Sequence, residues 1–203
     1  MTAEDVEAFA RCMAGAGVAV FPADTVYGLA CEPDNAEAVR RLYVLKGRRR
    51  SKSAAVMFFD LDIALSALPE LGPKTQAALG ALLPGPVTVL VPNPATRFRL
   101  ACGADPSKLG IRVPKLDGHL EPMRLLREPV LATSANLSGE PDARRLDDVT
   151  ADIRIGADML LDGGELPGLV STVIDLDGFE QQGTWQIVRP GALSADAVSG
   201  ALA

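Results

Sequence analysis

The apolar residues of this chain fall in short runs, and each run is stopped by a proline, a glycine or a polar side chain. Residues 18–21, 54–59, 87–91, 109–113, 130–132, 159–161, 170–176 and 185–188 are such runs. Runs this short, rich in aliphatic residues and bounded by turn formers, read as buried strands. Between them lie segments with helical spacing. Residues 2–15 open on a Thr2–Asp5 capping box and place Val6, Phe9, Ala10 and Met13 on one face. Asp34 or Asn35 caps a second helix whose stripe is Val39, Leu42 and Tyr43. Further helices are predicted at 60–68, at 73–83 with Pro73 in the first turn, at 117–127, at 147–155, and after Ser194. Strands and helices alternate irregularly, and no repeat or linker divides the chain. The expected fold is α/β (α+β by strict class), with a mixed sheet covered by helices rather than a regular doubly wound one. One domain over residues 1–203 is expected.

Composition removes several functions. The formal net charge is −6, whereas a protein built to grip a nucleic-acid backbone is usually basic. Cys12, Cys31 and Cys102 are odd in number and share no CxxC spacing, which argues against a disulfide framework or a structural zinc site. No run approaches the roughly 18–20 apolar residues of a membrane span. The first ten residues carry acids where a secretory signal would carry Lys or Arg, so a cytoplasmic location is expected. The single histidine, His119, would have to serve any triad or multi-histidine metal site alone. It lies in a polar segment and reads as a surface residue.

Four segments hold polar residues at strand ends, where loops present chemistry on a rigid scaffold. In PADTVYGL (22–29) a strand enters a proline turn, and the Thr25 hydroxyl and Tyr27 phenol can face a cleft. An ordinary turn, with Asp24 and Thr25 satisfying backbone donors, explains the segment equally well. In KGRRRSK (46–52) five cations follow a helix. Lys46 and Arg48 can reach phosphate oxygens there, unless the run is only a solvated loop. It lacks the Walker A pattern. In VLATSANLSG (130–139) Ser134 and Asn136 lie two apart, on one side of an extended backbone. They can hold a phosphate or ribose together, or simply cap a turn. The fourth segment is discontinuous: Arg112, Ser171–Thr172 and Arg189. An arginine ending an apolar strand is costly to bury unless an anion meets it, so an anionic small ligand is expected. No carboxylates have metal-site spacing. Any magnesium is expected to arrive with a nucleotide.

PADTVYGL, KGR, LLPGPVTVL, LGIRVP, TSANLSG, LDGG, STVIDL and VRPGAL, in that order from Phe21 to Leu193, resemble the YrdC/TsaC family of threonylcarbamoyl-AMP synthases. The resemblance is to its short single-domain form. It implies a twisted mixed sheet of about seven strands with a concave basic face. It also implies an activity: L-threonine, bicarbonate and ATP giving threonylcarbamoyl-AMP and pyrophosphate. By resemblance Lys46, Arg48, Ser134 and Asn136 are catalytic and, with Arg189, bind ATP. Thr25, Arg112, Ala132 and Ser171 bind threonine, Arg112 meeting its carboxylate. ATP is then a substrate, with Mg2+, and no tightly bound cofactor or protein-held metal is implied. The product would pass to a threonylcarbamoyl transferase complex, with at most a weak tRNA contact and no membrane. The chain departs from the family pattern at Ala23, at 49–55, at Leu83 and at Val170. The competing readings are a related carbamoyl-adenylate-forming enzyme, as in hydrogenase maturation, and a YrdC-like RNA- or ribosome-binding protein.

Overall fold

A computed structural model describes all 203 residues, and in it the short apolar runs pair into one sheet of nine strands. In chain order they are β1 (Ala19–Pro22), β2 (Tyr27–Cys31), β3 (Ala55–Met57), β4 (Val87–Pro92), β5 (Lys108–Arg112), β6 (Val130–Ser134), β7 (Met159–Leu160), β8 (Thr172–Asp175) and β9 (Gln186–Arg189). Across the sheet the order is β7-β1-β2-β6-β3-β5-β4-β8-β9. Three neighbouring pairs are parallel (β1–β7, β3–β5, β4–β8) and five antiparallel, so the sheet is mixed, as expected. It has more than the seven or so strands anticipated, and the addition that matters is β2. The DTVYGL stretch does turn after Pro22. The turn takes only residues 23–26, and Phe21 then pairs with Gly28. All five residues of β2 are buried, so the strand shows no alternation to betray it. Gly28 is required there, since a Cβ would stand 2.7 Å from a ring carbon of Phe21.

Helix ends follow their caps. The Thr2–Asp5 box closes α1 (Ala3–Ala14), whose buried residues are Val6, Phe9 and Met13, while Ala10 faces solvent. Asn35 accepts from the backbone of Glu37 and Ala38 and starts α2 (Ala36–Leu45). Pro73 opens α4 (Pro73–Leu82), after α3 (Leu61–Ala67), and Ser194 caps the last helix (Ala195–Ala201). Two expected helices are shorter. The 117–127 segment is a 3-10 turn, Gly118–Leu125, because Pro122 within it has no N–H to give. The 147–155 segment splits into a 3-10 turn, Leu146–Asp148, and α5 (Ala151–Gly156). Asp148 turns back to accept from the backbone of Arg144 and Arg145, which stops the helix from starting there.

The core is a single cluster in which Phe9 packs against Phe21 and Phe59, ring centroids 5.5 and 6.5 Å apart. Truncating such a ring costs about 3–5 kcal/mol. Strand β4 shows how the core positions the site. Val87, Val89 and Val91 are buried, while Thr88 and Leu90 alternate with them on the opposite face, which lines a cavity.

Candidate active site

The cavity measures about 240 Å3 and is lined by residues from all but one of the nine strands and from the loops beside them. Its floor is a cross-strand row of three small residues and a leucine: Ala132 lies opposite Ala55, Ala55 opposite Gly110, and Gly110 opposite Leu90. A neighbouring row carries polar groups, with Met57 opposite Arg112, Thr88 opposite Val173, and Val173 opposite Arg189. Side chains far apart in sequence are thus brought to one face by register alone. Of the residues singled out from the sequence, Thr25, Arg48, Arg112, Ala132, Ser134, Ser171 and Arg189 line the cavity.

Lys46 and Asn136 lie just behind its wall. Lys46 ends α2 and is buried. Its ammonium donates to the Ser134 carbonyl (2.6 Å), Ser134 Oγ (3.2 Å), the Asn136 carbonyl (3.0 Å) and Asn136 Oδ1 (2.7 Å). The Ser134 hydroxyl donates to Asn136 Oδ1 at 2.6 Å, so the two side chains share one oxygen, as their spacing suggested. None of these partners is a carboxylate. Burial, with Arg48 nearby, pulls the Lys46 pKa down to about 8. The lysine is therefore a structural tie between α2 and the end of β6 as well as a cation beside the cavity.

Arg48 donates to Thr133 Oγ1 (3.2 Å) and to the Ser53 carbonyl, and its buried Nε has no partner. Arg112 does not wait for a ligand to compensate its charge, because Asp24 already meets it at 2.5 Å. The same nitrogen lies 3.2 Å from Thr25 Oγ1, and Asp24 also accepts from the Lys115 backbone. The Asp24 carboxylate is thus both the turn-former expected and an internal counter-ion. Burial pushes Asp24 up and Arg112 down, each toward its neutral form, and their mutual attraction opposes both shifts. One Arg112 nitrogen, Nε, is buried and unpartnered, like that of Arg48.

At the far end, Arg189 donates to the Ser171 carbonyl (2.7 Å) and to Ser171 Oγ (3.2 Å). Ser171 Oγ stands 2.9 Å from Thr88 Oγ1, a residue that sequence reasoning passed over. Ser171 lies just before β8, which starts at Thr172 rather than at 170. The backbone of Val170 is used by Ala192, whose N–H donates to it at 2.8 Å. Gly191 permits that approach, since a Cβ there would lie 2.4 Å from the Val170 oxygen.

Three arginines and no Asp or Glu line the cavity, in a protein of net charge −6. Arg189 weighs against the charged forms of both Arg48 and Arg112, so the three share one field. Tyr27 lines the cavity, but its hydroxyl is spent elsewhere: it donates toward Asp162 and the Gly164 carbonyl and accepts from the Gly163 N–H, which fastens the LDGG loop. His119 is exposed and does not line the cavity. Cys31 and Cys102 are buried, and burial pushes the Cys31 thiol up to about 12. The structure contains no group of three His, Cys, Asp or Glu arranged to hold a metal. No helix is long and apolar enough to cross a membrane.

A mixed sheet thus cups a cavity lined by three arginines and no carboxylate. The chain belongs to the Sua5/YciO/YrdC family, described as "Telomere recombination", whose pattern matches residues 11–191. It is 32% identical over 167 residues to a threonylcarbamoyl-AMP synthase of Xanthomonas campestris, covering 81% of this chain and 88% of that one. It is 29% identical over 182 residues to a threonylcarbamoyl-AMP synthase of Pyrococcus abyssi, covering 88% of this chain. The chain spans about half (51%) of the length of that archaeal relative. The crystal structure of P. abyssi Sua5 complexed with L-threonine superposes with a TM-score of 0.85 at 24% identity, over 99% of this chain and 58% of that one.

Proposed function

We propose that this protein is an L-threonylcarbamoyladenylate synthase. It would join L-threonine, bicarbonate and ATP into threonylcarbamoyl-AMP and pyrophosphate, for the threonylcarbamoyladenosine modification of tRNA. The observation that carries the reading is the set of three guanidiniums around a cavity lined by no carboxylate.

The roles divide along the cavity. Lys46, Arg48, Ser134 and Asn136, with Arg189, take the triphosphate and ribose. Thr25, Arg112, Ala132 and Ser171 take threonine, whose carboxylate meets the free edge of Arg112. The threonine nitrogen adds to the bicarbonate carbon and water leaves, giving a carbamate. A carbamate oxygen then attacks the α-phosphorus in line, and the bond to the bridging oxygen breaks as pyrophosphate departs. Charge accumulates on phosphate and carbamate oxygens, so fixed cations and aligned reactants supply the rate. No histidine base enters. The lining residues offer no carboxylate to hold Mg2+. A magnesium ion would ride on the phosphates and neutralise part of their charge. The product would pass to a threonylcarbamoyl transferase complex. Arg49, Arg50 and Lys52, exposed on the rim loop, are where a weak tRNA contact would fall.

The test is pyrophosphate release with each substrate omitted in turn, then with serine, 2-aminobutyrate and valine in place of threonine. Release should require all three substrates. Serine should be poor but not inert, because a single methyl discriminates by roughly 10–200-fold. Equal rates with all four amino acids, or full activity without bicarbonate, would overturn the assignment.

A further inference from the structure

The hydroxyl pair at the β4–β8 end of the cavity has one proton more than the protein uses. Arg189 can only donate, so one Ser171 Oγ lone pair is taken by its Nη2 at 3.2 Å. Between Ser171 Oγ and Thr88 Oγ1, 2.9 Å apart, only one proton is needed. The other has no acceptor among the protein's hydrogen bonds. Burial decides which oxygen carries it. Ser171 is 4% exposed, whereas Thr88 is only partly buried and borders the open cavity. A hydroxyl proton without an acceptor is costly inside and costs little where solvent or a ligand can reach it. Donation from the Arg189 cation also strengthens Ser171 as a donor in its turn. The chain therefore runs from Arg189 to Ser171 to Thr88, and ends on a Thr88 O–H aimed into the cavity. Thr88 stands on β4, beside the β5 strand that ends at Arg112, and both side chains line the cavity.

We propose that Thr88 is a substrate-contacting residue: its hydroxyl donates to the carboxylate or carbamate oxygen that Arg112 also holds, and Ser171 orients it. This rests on the synthase reading above and moves the direct contact from Ser171 to Thr88. Being β-branched on a strand, Thr88 has a restricted χ1, which fixes where its Oγ1 sits, and the bond from Ser171 then turns its proton outward. Against an oxyanion this is a charge-assisted bond.

The test compares Thr88→Val, which keeps the shape and removes the hydroxyl, with Thr88→Ser, which keeps the hydroxyl. Pyrophosphate release gives kcat and the KM values for threonine and ATP, and thermal unfolding reports the fold. Calorimetric titration of threonine into wild type and both variants reads binding without turnover. Thr88→Val should raise the threonine KM and Kd about tenfold with the ATP KM unchanged, and Thr88→Ser should restore most of the loss. An unchanged threonine Kd in folded Thr88→Val overturns the proposal, as does Thr88→Ser being impaired equally. Wild-type protein that binds threonine but releases no pyrophosphate sinks the synthase reading while the Kd comparison still decides Thr88. Wild-type protein that binds no threonine overturns both.

Discussion

The two ends of the cavity treat their polar groups differently. At the β6 end, Lys46, Ser134 and Asn136 are knotted together, and four oxygens surround one ammonium. At the β8–β9 end, Arg189 is exposed, Ser171 holds it by two bonds, and a hydroxyl proton is left over. The first end is organised before any ligand arrives, and its groups serve fold and site at once. The second keeps donors free and contributes little to stability. On the proposed reading, a substitution at the closed end should cost both function and stability, whereas one at the open end should cost function alone.

Lys46→Ala should give the largest effect and the test most dangerous to that contrast. It leaves several buried oxygens without a donor, at about 1–3 kcal/mol, so thermal unfolding should fall by several degrees. Pyrophosphate release should fall at least about tenfold as well. Unchanged stability would mean that the knot is not structural. Arg189→Ala should cut pyrophosphate release by about tenfold while the unfolding temperature moves by no more than about 1 °C. A drop matching that of Lys46→Ala would erase the distinction between the ends.

A smaller effect is expected from pH. The folded pKa of Lys46, about 8, lies below the ordinary lysine value of 10.5, so folding disfavours its charged form. Above pH 8 the folded state releases this proton while the unfolded chain keeps it. The stability contributed by Lys46 therefore rises between about pH 8 and 10.5, and a Lys46→Met variant should lack that rise. The same loss of charge should raise the ATP KM above about pH 8 and leave the threonine KM flat, as steady-state profiles can read. Threonine binding that weakens in parallel would show the two ends to be electrostatically one. His119→Ala lies outside both ends and should leave release and unfolding temperature unchanged; a loss in either assay would place a third functional region on the 3-10 turn.

Much of this was legible in the sequence, because local signals carried it. The Thr2, Asn35 and Ser194 caps and the Pro73 start are set by neighbours three or four residues away. The Ser134–Asn136 pairing was suggested by their spacing of two, although β6 ends at Ser134 and the bend after it, not the strand, brings Asn136 back. What could not be read is set by distance. Lys46 meets Asn136 across 90 residues, and Asp24 meets Arg112 across 88, so an arginine that seemed to need a ligand already had a partner. Tyr27 was misdirected for the same reason, since its acceptor Asp162 is 135 residues away. Thr88 did leave a trace: it is the polar residue of an otherwise apolar strand, in phase with Leu90 on the cavity face.

The order of strands across the sheet also bears on how the protein is born. Walls contributed by β1 and by β9 are separated by most of the chain, and Arg189 is among the last residues a ribosome would add to the cavity. A nascent chain that has emerged only through residue 136 contains Lys46, Ser134 and Asn136 yet lacks Ser171, Arg189 and the strand beneath them. Long-range pairing of this kind is slow and late in folding. A chain that stops short of β9 therefore lacks the Ser171–Arg189 side of the cavity, whatever the rest of it has folded.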